Sequence, residues 1–406
     1  MLFSKLGLSN LLKNKRKTVL TLLTISLGFA CLTVAKGYTN YCLWGLRESI
    51  INGGVGHFQI YKEGFRERTD DDSFNFLISD YKKIIREFST VPGVKFVAPR
   101  LSFIGILANN TGSATVAGHG GWLQEERALT SFSTIEQGAF PREDESYGTL
   151  IGSGVAGLIG PSVHGTATLS VAMNGGAINV MDFDVTGIIS SQLEELEDTY
   201  MLIPLESAQS LMDVPDSIDT IIIMLLNTED MPSVENRICS ICRRNGLEYR
   251  TWDQIVPYYS GAASFYSSSM NIALIVILAI VVFAIINTML MAVYDRMREI
   301  GTMRSIGMTA FQTLRMITAE STLLGVFGCA IGIILAFLTA FIINVFGGIP
   351  LPPPPGNTRA YQGLIYIETF DVAVYSVVFI LVSILSSLFP ARKAVRMSIA
   401  DTLRWI

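Results

Sequence analysis

Ionisable side chains are scarce in this sequence. Asp, Glu, Lys and Arg make up 16% of its 406 residues, while 50% of the chain is hydrophobic; soluble domains carry roughly a quarter charged residues. That balance excludes a purely soluble protein and implies a membrane protein with a substantial soluble part. Histidine is rarer still. His57, His119 and His164 are too scattered to complete a zinc site around the Cys239-x-x-Cys242 pair. The cysteines therefore read as packed or incidental thiols, with a local Cys239–Cys242 disulfide as the alternative, and no metal is expected. No G-x-x-x-x-G-K-S/T run is present, so the chain cannot cradle nucleotide phosphates by the P-loop route. Gly152-Ser153-Gly154 matches only the tail of a nucleophile elbow and reads as a turn. Glu194-Glu195-Leu196-Glu197-Asp198 reads as a solvated acidic run rather than a metal site. No catalytic constellation is left, and the expectation is a non-catalytic chain.

What the sequence does hold is four long apolar runs, at 19–43, 271–293, 316–346 and 371–390. Each is long enough to cross a bilayer, since about 20 residues span the hydrocarbon core. Residues 1–18 carry five Lys/Arg and no acid and read as an amphipathic helix on the inner surface. A signal peptide is the competing reading, but no A-x-A cleavage site follows, so an uncleaved anchor is expected. Residues 44–262 hold 15 Lys/Arg against 29 Asp/Glu, a net of −14. The basic flank belongs in the cytoplasm and the acidic segment outside, with both termini inside. Such an acidic domain also argues against nucleic acid as a partner.

Residues 44–262 are long enough to bury a core of their own. Strand patterning appears at 57–61, 101–106, 114–117, 166–172, 183–189, 201–203 and 220–226, and helical patterning at 80–88, 205–211 and 234–245. The fold class expected is therefore an α-helical membrane protein with four transmembrane helices and a large α+β extracytoplasmic domain between helices 1 and 2. The loop 347–370 carries Pro352 to Pro355, a stiff spacer or a contact for a partner protein. Pro390 is expected to end the fourth span, leaving 391–406 as a cytoplasmic tail.

The charged connection 294–315, YDRMREIGTMRSIGMTAFQTLR, lies between the second and third runs. Ile300, Met303, Ile306 and Leu314 recur near helical spacing, and Gly301 and Gly307 imply a bend or the close approach of another surface. It reads as a short amphipathic helix on the cytoplasmic face. Glu320 lies about one turn inside the third run, where a carboxylate needs a partner. Arg315, or Arg304, is the expected one, in an ion pair anchoring this helix to the span.

Arg298-Glu299-Ile300-Gly301, Arg304-Ser305-Ile306-Gly307-Met308 and Glu320 resemble the R-E-I-G-x-x-R-x-x-G signature of the MacB-like/FtsX-like ABC permeases. Phe389-Pro390-Ala391-Arg392-Lys393-Ala394 through Asp401-Thr402-Leu403-Arg404 resembles the closing pattern of the same family. The resemblance implies a two-lobed outer domain, with a β-rich lobe inserted near 100–200, and a coupling role for 294–315. It also implies a separate ABC ATPase dimer that binds ATP and Mg, and a second permease subunit, identical or homologous.

GHFQIY after the first run, and the stretch FDVTGIISSQLEELEDTYMLIPLESAQSLM, resemble the lipoprotein-releasing (Lol) permeases. Release of lipoproteins or lipids from the inner membrane, with a periplasmic carrier, is the function this implies. The hairpin around 172–182 is short and lacks a proline, so a carrier would dock on a sister subunit or be absent. A MacB-like efflux permease working with an adaptor, and an FtsX-like regulator of a cell-wall hydrolase, are the alternatives.

Overall fold

A 36-residue helix, α1 (Lys15–Ile50), opens the described chain and ends in a π-helical turn over Ile51–Val55. The turn closes on Gly54 and Gly56, with φ of 111° and 71°. A Cβ at Gly56 would lie 2.3 Å from the Ile222 side chain, so only glycine fits there. The computed structural model describes residues 15–65, 76–160, 163, 165–173, 177–190, 198–351 and 361–396. Most of the expected N-terminal amphipathic helix, His164, the run Glu194–Glu197, Pro352–Pro355 and Asp401–Arg404 lie outside them. The chain divides into two units, one of Met1–Trp44, Ala262–Leu351 and Gln362–Ile406, the other of Gly45–Gly261 with Pro352–Tyr361.

The second unit is α+β. Its elements are β1 (Phe58–Lys62), β2 (Ile78–Ser79), α2 (Tyr81–Ser89), β3 (Val94–Ala108), β4 (Ser113–Gly121), α3 (Leu123–Leu129), β5 (Thr134–Gly138), β6 (Gly148–Gly152) and α4 (Ser153–Ile159). They continue through β7 (Thr166–Ala172), β8 (Ile178–Ser190), β9 (Tyr200–Pro204), α5 (Leu205–Met212), β10 (Ser217–Ile218), β11 (Thr220–Leu225), α6 (Met231–Asn245), β12 (Leu247–Thr251) and α7 (Trp252–Ile255). Among the described residues the main sheet runs β12-β1-β11-β3-β4-β9-β6-β8-β5, with β7 bridging β3 and β8.

β3 organises this sheet. Its first half pairs with β11 (Val97 opposite Ile223) and its second half with both β4 and β7 (Gly105 opposite Val116 and Val171). On the β11 side, α2 and α6 bury Tyr81, Ile85, Phe88, Val234, Ile238 and Ile241 in one core with Phe58, Ile60 and Ile221. β5, which is mostly exposed, and β6, which is buried throughout, lack the alternation by which strands are read, and they and the short helices α3 and α4 were not expected from the sequence. Gly152-Ser153 is not an isolated turn: Gly152 ends β6 and Ser153 opens α4.

Two histidines and an arginine pin this unit internally. The Arg100 guanidinium donates to both carboxylate oxygens of Glu126 at 2.6 and 2.7 Å, and to the Gly54 carbonyl at 2.7 Å. Glu126 is fully buried. Burial works against its charge, but Arg100 and then His119 outweigh it and hold the carboxyl down to about 2. Burial and then Arg100 lower the His119 pKa, so its neutral Nε2–H donates to Glu126 at 3.2 Å. Just ahead of β1, His57 accepts the Leu225 N–H at Nδ1 (3.2 Å), which leaves Nε2 to donate to the Thr228 hydroxyl at 3.1 Å. Burial, then Arg47, lowers the His57 pKa from 6.5 to about 4.

The first unit contains α1 up to Trp44, α8 (Pro257–Asp295) from Ala262, α9 (Met297–Ser305), α10 (Ala310–Val345), β13 (Ile349–Leu351) and α11 (Thr369–Arg396). The short strand β14 (Tyr361–Gly363) pairs with β13. α1, α8, α10 and α11 are each long and apolar enough to cross a membrane. α1 and α10 approach closely because Gly328 and Gly332 face Ile25 and Phe29. A Cβ at either glycine would come within 2.5 or 2.9 Å of them. Phe29 meets Phe379 of α11 edge-on at 5.4 Å, and Ser321 donates to the Ser383 carbonyl at 2.7 Å.

α8 starts at Pro257, fourteen residues ahead of the apolar run. Pro390 does not end the fourth long helix. α11 continues through it to Arg396 because Pro390, Ala391 and Ala394 are buried and held by packing.

Glu126→Ala would strand Arg100 in the core, so the α+β unit should lose about 3–5 kcal/mol of stability, read by denaturant titration. A loss within error of zero would show that the network carries no weight. The folded pKa of His57 lies below its unfolded value, so its contribution is present above pH 6.5 and is lost as pH falls from 6.5 toward about 4. His57→Gln should flatten the pH dependence of stability in that window. Equal slopes for variant and parent would contradict this.

Candidate functional site

The sequence Met303-Arg304-Ser305-Ile306-Gly307-Met308-Thr309-Ala310-Phe311-Gln312 stops one helix and starts another. At the end of α9, Gly307 takes φ 109°, its N–H donates to the Arg304 carbonyl at 3.1 Å, and the Met308 N–H donates to the Met303 carbonyl at 3.0 Å. This is a Schellman stop, with glycine at the left-handed position. At the start of α10, Thr309 accepts from the Gln312 N–H at 3.3 Å, and the Gln312 side chain accepts from the Thr309 N–H at 2.9 Å. That reciprocal pair is a capping box. The expected single element 294–315 is therefore a nine-residue helix, a tight turn and the first turns of α10, to which Arg315 belongs.

The segment has two faces. Met297, Ile300 and Gly301 are buried, and Met297 and Ile300 share a cluster with Val293, Met316, Ile317, Ala391 and Ala394. Pro390 and Ala391 thus sit in the bundle that holds α9, while Arg392 is exposed. On the other face Arg298, Glu299, Ser305 and Gly307 are exposed, and Arg304 and Met308 are half-buried. Ile306 is 82% exposed and Phe311 66%. Two bare apolar side chains flanked by Arg298, Glu299 and Arg315 make a rigid knob that a partner surface can cover. Phe311 was missed from the sequence because it lies past the turn, off the α9 periodicity. Its signal was the capping box, which places it in the first turn of a new helix.

The anchoring ion pair is corrected. Glu320 pairs with Arg296, at 3.6 Å, both side chains being largely buried. Arg315 instead lies over the Phe311 ring, 5.9 Å from its centroid. Five residues apart on one helix, Arg315 and Glu320 point about 140° apart around the axis and cannot meet. Arg296 can, because it occupies the break between α8 and α9. Lys393 of α11 caps the same end, over the Tyr294 ring at 5.3 Å.

In the α+β unit, Cys239 and Cys242 are both free thiols on α6, and burial pushes the Cys242 thiol up to about 12. A thiol so hard to ionise is poor at metal binding and redox exchange. Among the described residues no cluster of His, Cys, Asp or Glu is placed to hold a metal ion.

Residues 18–241 match the model of the MacB-like periplasmic core domain, and residues 271–399 that of the FtsX-like permease C-terminal domain. The chain belongs to the MacB/FtsX family of ABC transporter permeases. Two relatives span most of this permease. The "Lipoprotein-releasing system transmembrane protein LolC" of Neisseria meningitidis serogroup B is 22% identical over 98% of each chain. The "Lipoprotein-releasing system transmembrane protein LolE" of Haemophilus influenzae is 24% identical over 80% of this chain and 81% of that one. The solved periplasmic region of MacB from Actinobacillus actinomycetemcomitans is 16% identical, with a TM-score of 0.37, over 53% of this chain and 98% of that one. The permease is a multi-pass membrane protein with a periplasmic or extracellular α+β domain, of a family that works with an ATPase partner.

A Cβ at Gly307 would meet nothing within 4 Å, so a side chain there is penalised by backbone strain alone. Gly307→Val should lower the thermal stability of the purified permease by about 1–2 kcal/mol, while Gly307→Asn, which tolerates positive φ, should cost less. Equal loss in both variants would argue against a strained cap.

Proposed function

We propose that this permease couples ATP hydrolysis by a separate ATPase dimer to movements of its outer domain that extract lipoproteins or lipids from the inner membrane. The single observation carrying the substrate class is the likeness to LolC over 98% of both chains. Both termini and α9 are assigned to the cytoplasm, where the Ile306–Phe311 knob with Arg298, Glu299 and Arg315 docks on the ATPase. ATP and Mg belong to that partner. Burial of Met297 and Ile300 against α10 and α11 makes the knob rigid, so displacement by the ATPase would pass into the spans rather than be lost in a loose loop.

The spans themselves favour mechanical transmission over conduction. Their buried polar groups are spent on helix contacts, as in the 2.6 Å bond between the Thr21 and Thr288 hydroxyls and the Ser321–Ser383 bond. A polar solute would need a series of free groups to replace its water.

Purification with the co-expressed ATPase, followed by mass spectrometry of bound material before and after ATP, tests the reading. Acylated protein or lipid retained without nucleotide and released with it is expected. An adaptor with no lipidated cargo would replace this reading with efflux. Glu299→Arg should uncouple hydrolysis from transport with folding intact, and Ile306→Asp combined with Phe311→Asp should remove the ATPase from the complex. Parental ATPase stoichiometry in the double variant would refute docking at this surface.

A further inference from the structure

The end of α1 and the start of α8, up to Gly261, fall within the α+β unit. There Leu46, Ile50 and Ile51 share an apolar cluster with Tyr259 of α8 and with Ile222 and Met224 of β11. Trp252 of α7 meets Tyr259 edge-on at 4.5 Å and belongs to the same cluster. Packing of this kind holds both helix roots to the sheet. It is non-directional, however, and resists the turning of a helix about its own axis only weakly.

Hydrogen bonds at the turn Ile51–Val55 supply the direction. Three of its carbonyls accept from outside the turn: Asn52 from the Phe132 N–H at 3.5 Å, Gly54 from Arg100 at 2.7 Å, and Val55 from the Gln59 carboxamide at 2.9 Å. Arg100 is itself fixed at its far side, by bonds of 2.6 and 2.7 Å to Glu126, which His119 of β4 also holds at 3.2 Å. Side-chain exposures of 14% for Arg100 and 0% for Glu126 put the pair out of water. Apolar residues of similar volume often match or exceed a buried ion pair in stability, so stability does not account for one here. A planar fork that grips a carbonyl and a carboxylate at once does, because it sets an angle as well as a distance.

We propose that Arg100 is a positioning residue of the transport stroke. It locks the turn at the end of α1 to β3, β4 and α3, so that movement of α1 carries the sheet with it instead of being absorbed by slippage in the apolar cluster. Arg100 acts through Glu126 and the Gly54 carbonyl, and its value lies in the angle it imposes rather than in net stability. The inference rests on the permease reading and adds the residue through which the stroke enters the outer domain.

The test uses the full-length permease with its ATPase in bilayers, spin-labelled at Leu27 on α1 and Leu158 on α4, both 62% exposed. The labels are attached through bio-orthogonal residues, so the five native cysteines stay in place. ATP is expected to shift the distance between the labels in the parent. Arg100→Met combined with Glu126→Met makes the pair apolar and should keep the melting temperature and the ATPase rate. The ratio of shifted to unshifted chains should fall about twofold to thirtyfold. Arg100→Lys, which keeps the charge but not the fork, should lower the ratio too. Lys82→Ala combined with Asp216→Ala removes an exposed pair elsewhere in the unit and should leave it unchanged. A parental ratio in the folded Met double variant would overturn the proposal. So would failure of that variant to fold, because the pair would then serve stability. No shift in the parent would overturn the permease reading itself, and the inference with it.

Discussion

Inside a bilayer no water is available to satisfy a polar group, and the first unit is built around that shortage. Its interior hydroxyls bond to carbonyls on their own or a neighbouring helix, as Thr33 does to Phe29 and Ser383 to Phe379. Without a hydrophobic driving force between helices, contact has to come from close approach. Gly325, Gly328 and Gly332 supply it by bringing the α10 backbone onto Ser383, Ile25 and Phe29. Glu320 would be intolerable alone, and its pairing with Arg296 fixes the break between α8 and α9 to the third span. The position of the exposed knob follows from that chain of constraints.

The α+β unit solves the opposite problem. Water is plentiful around it, yet it buries an arginine and a glutamate. The pair ties the turn at the end of α1, through the Gly54 carbonyl, to β3 and α3. A two-pronged guanidinium contact fixes direction as well as distance, which a hydrophobic contact would not. These buried charges thus specify how the start of the unit meets its sheet more than they add net stability.

Hydropathy made the four spans and the α+β character legible, because both depend on composition over many residues. The three helices of the outer unit with strong periodicity, α2, α5 and α6, were legible as well. What escaped was set by contacts between distant residues or by single backbone angles. Arg100 and Glu126 are 26 residues apart and meet only because β3 and α3 are folded. Glu320 took Arg296 rather than Arg315 because helix geometry separates residues five apart. Pro390 stayed inside α11 because neighbouring packing overrode its usual effect. The stop at Gly307 and the start at Thr309 were written locally in the sequence, but periodicity across 294–315 concealed the join.

The strand order carries a consequence for synthesis. β1 sits between β11 and β12, and Phe58 pairs with both Ile223 and Thr251. That strand therefore remains unpaired until about 160 further residues have been made, which takes roughly 8–30 s at ordinary elongation rates. Thr251 precedes α8 by only a few residues, so the sheet gains its last neighbour as the second span is about to emerge. Folding of the outer unit is thus dominated by contacts of long sequence separation, and a nascent chain stalled before β11 would present an open β edge rather than a partly finished domain.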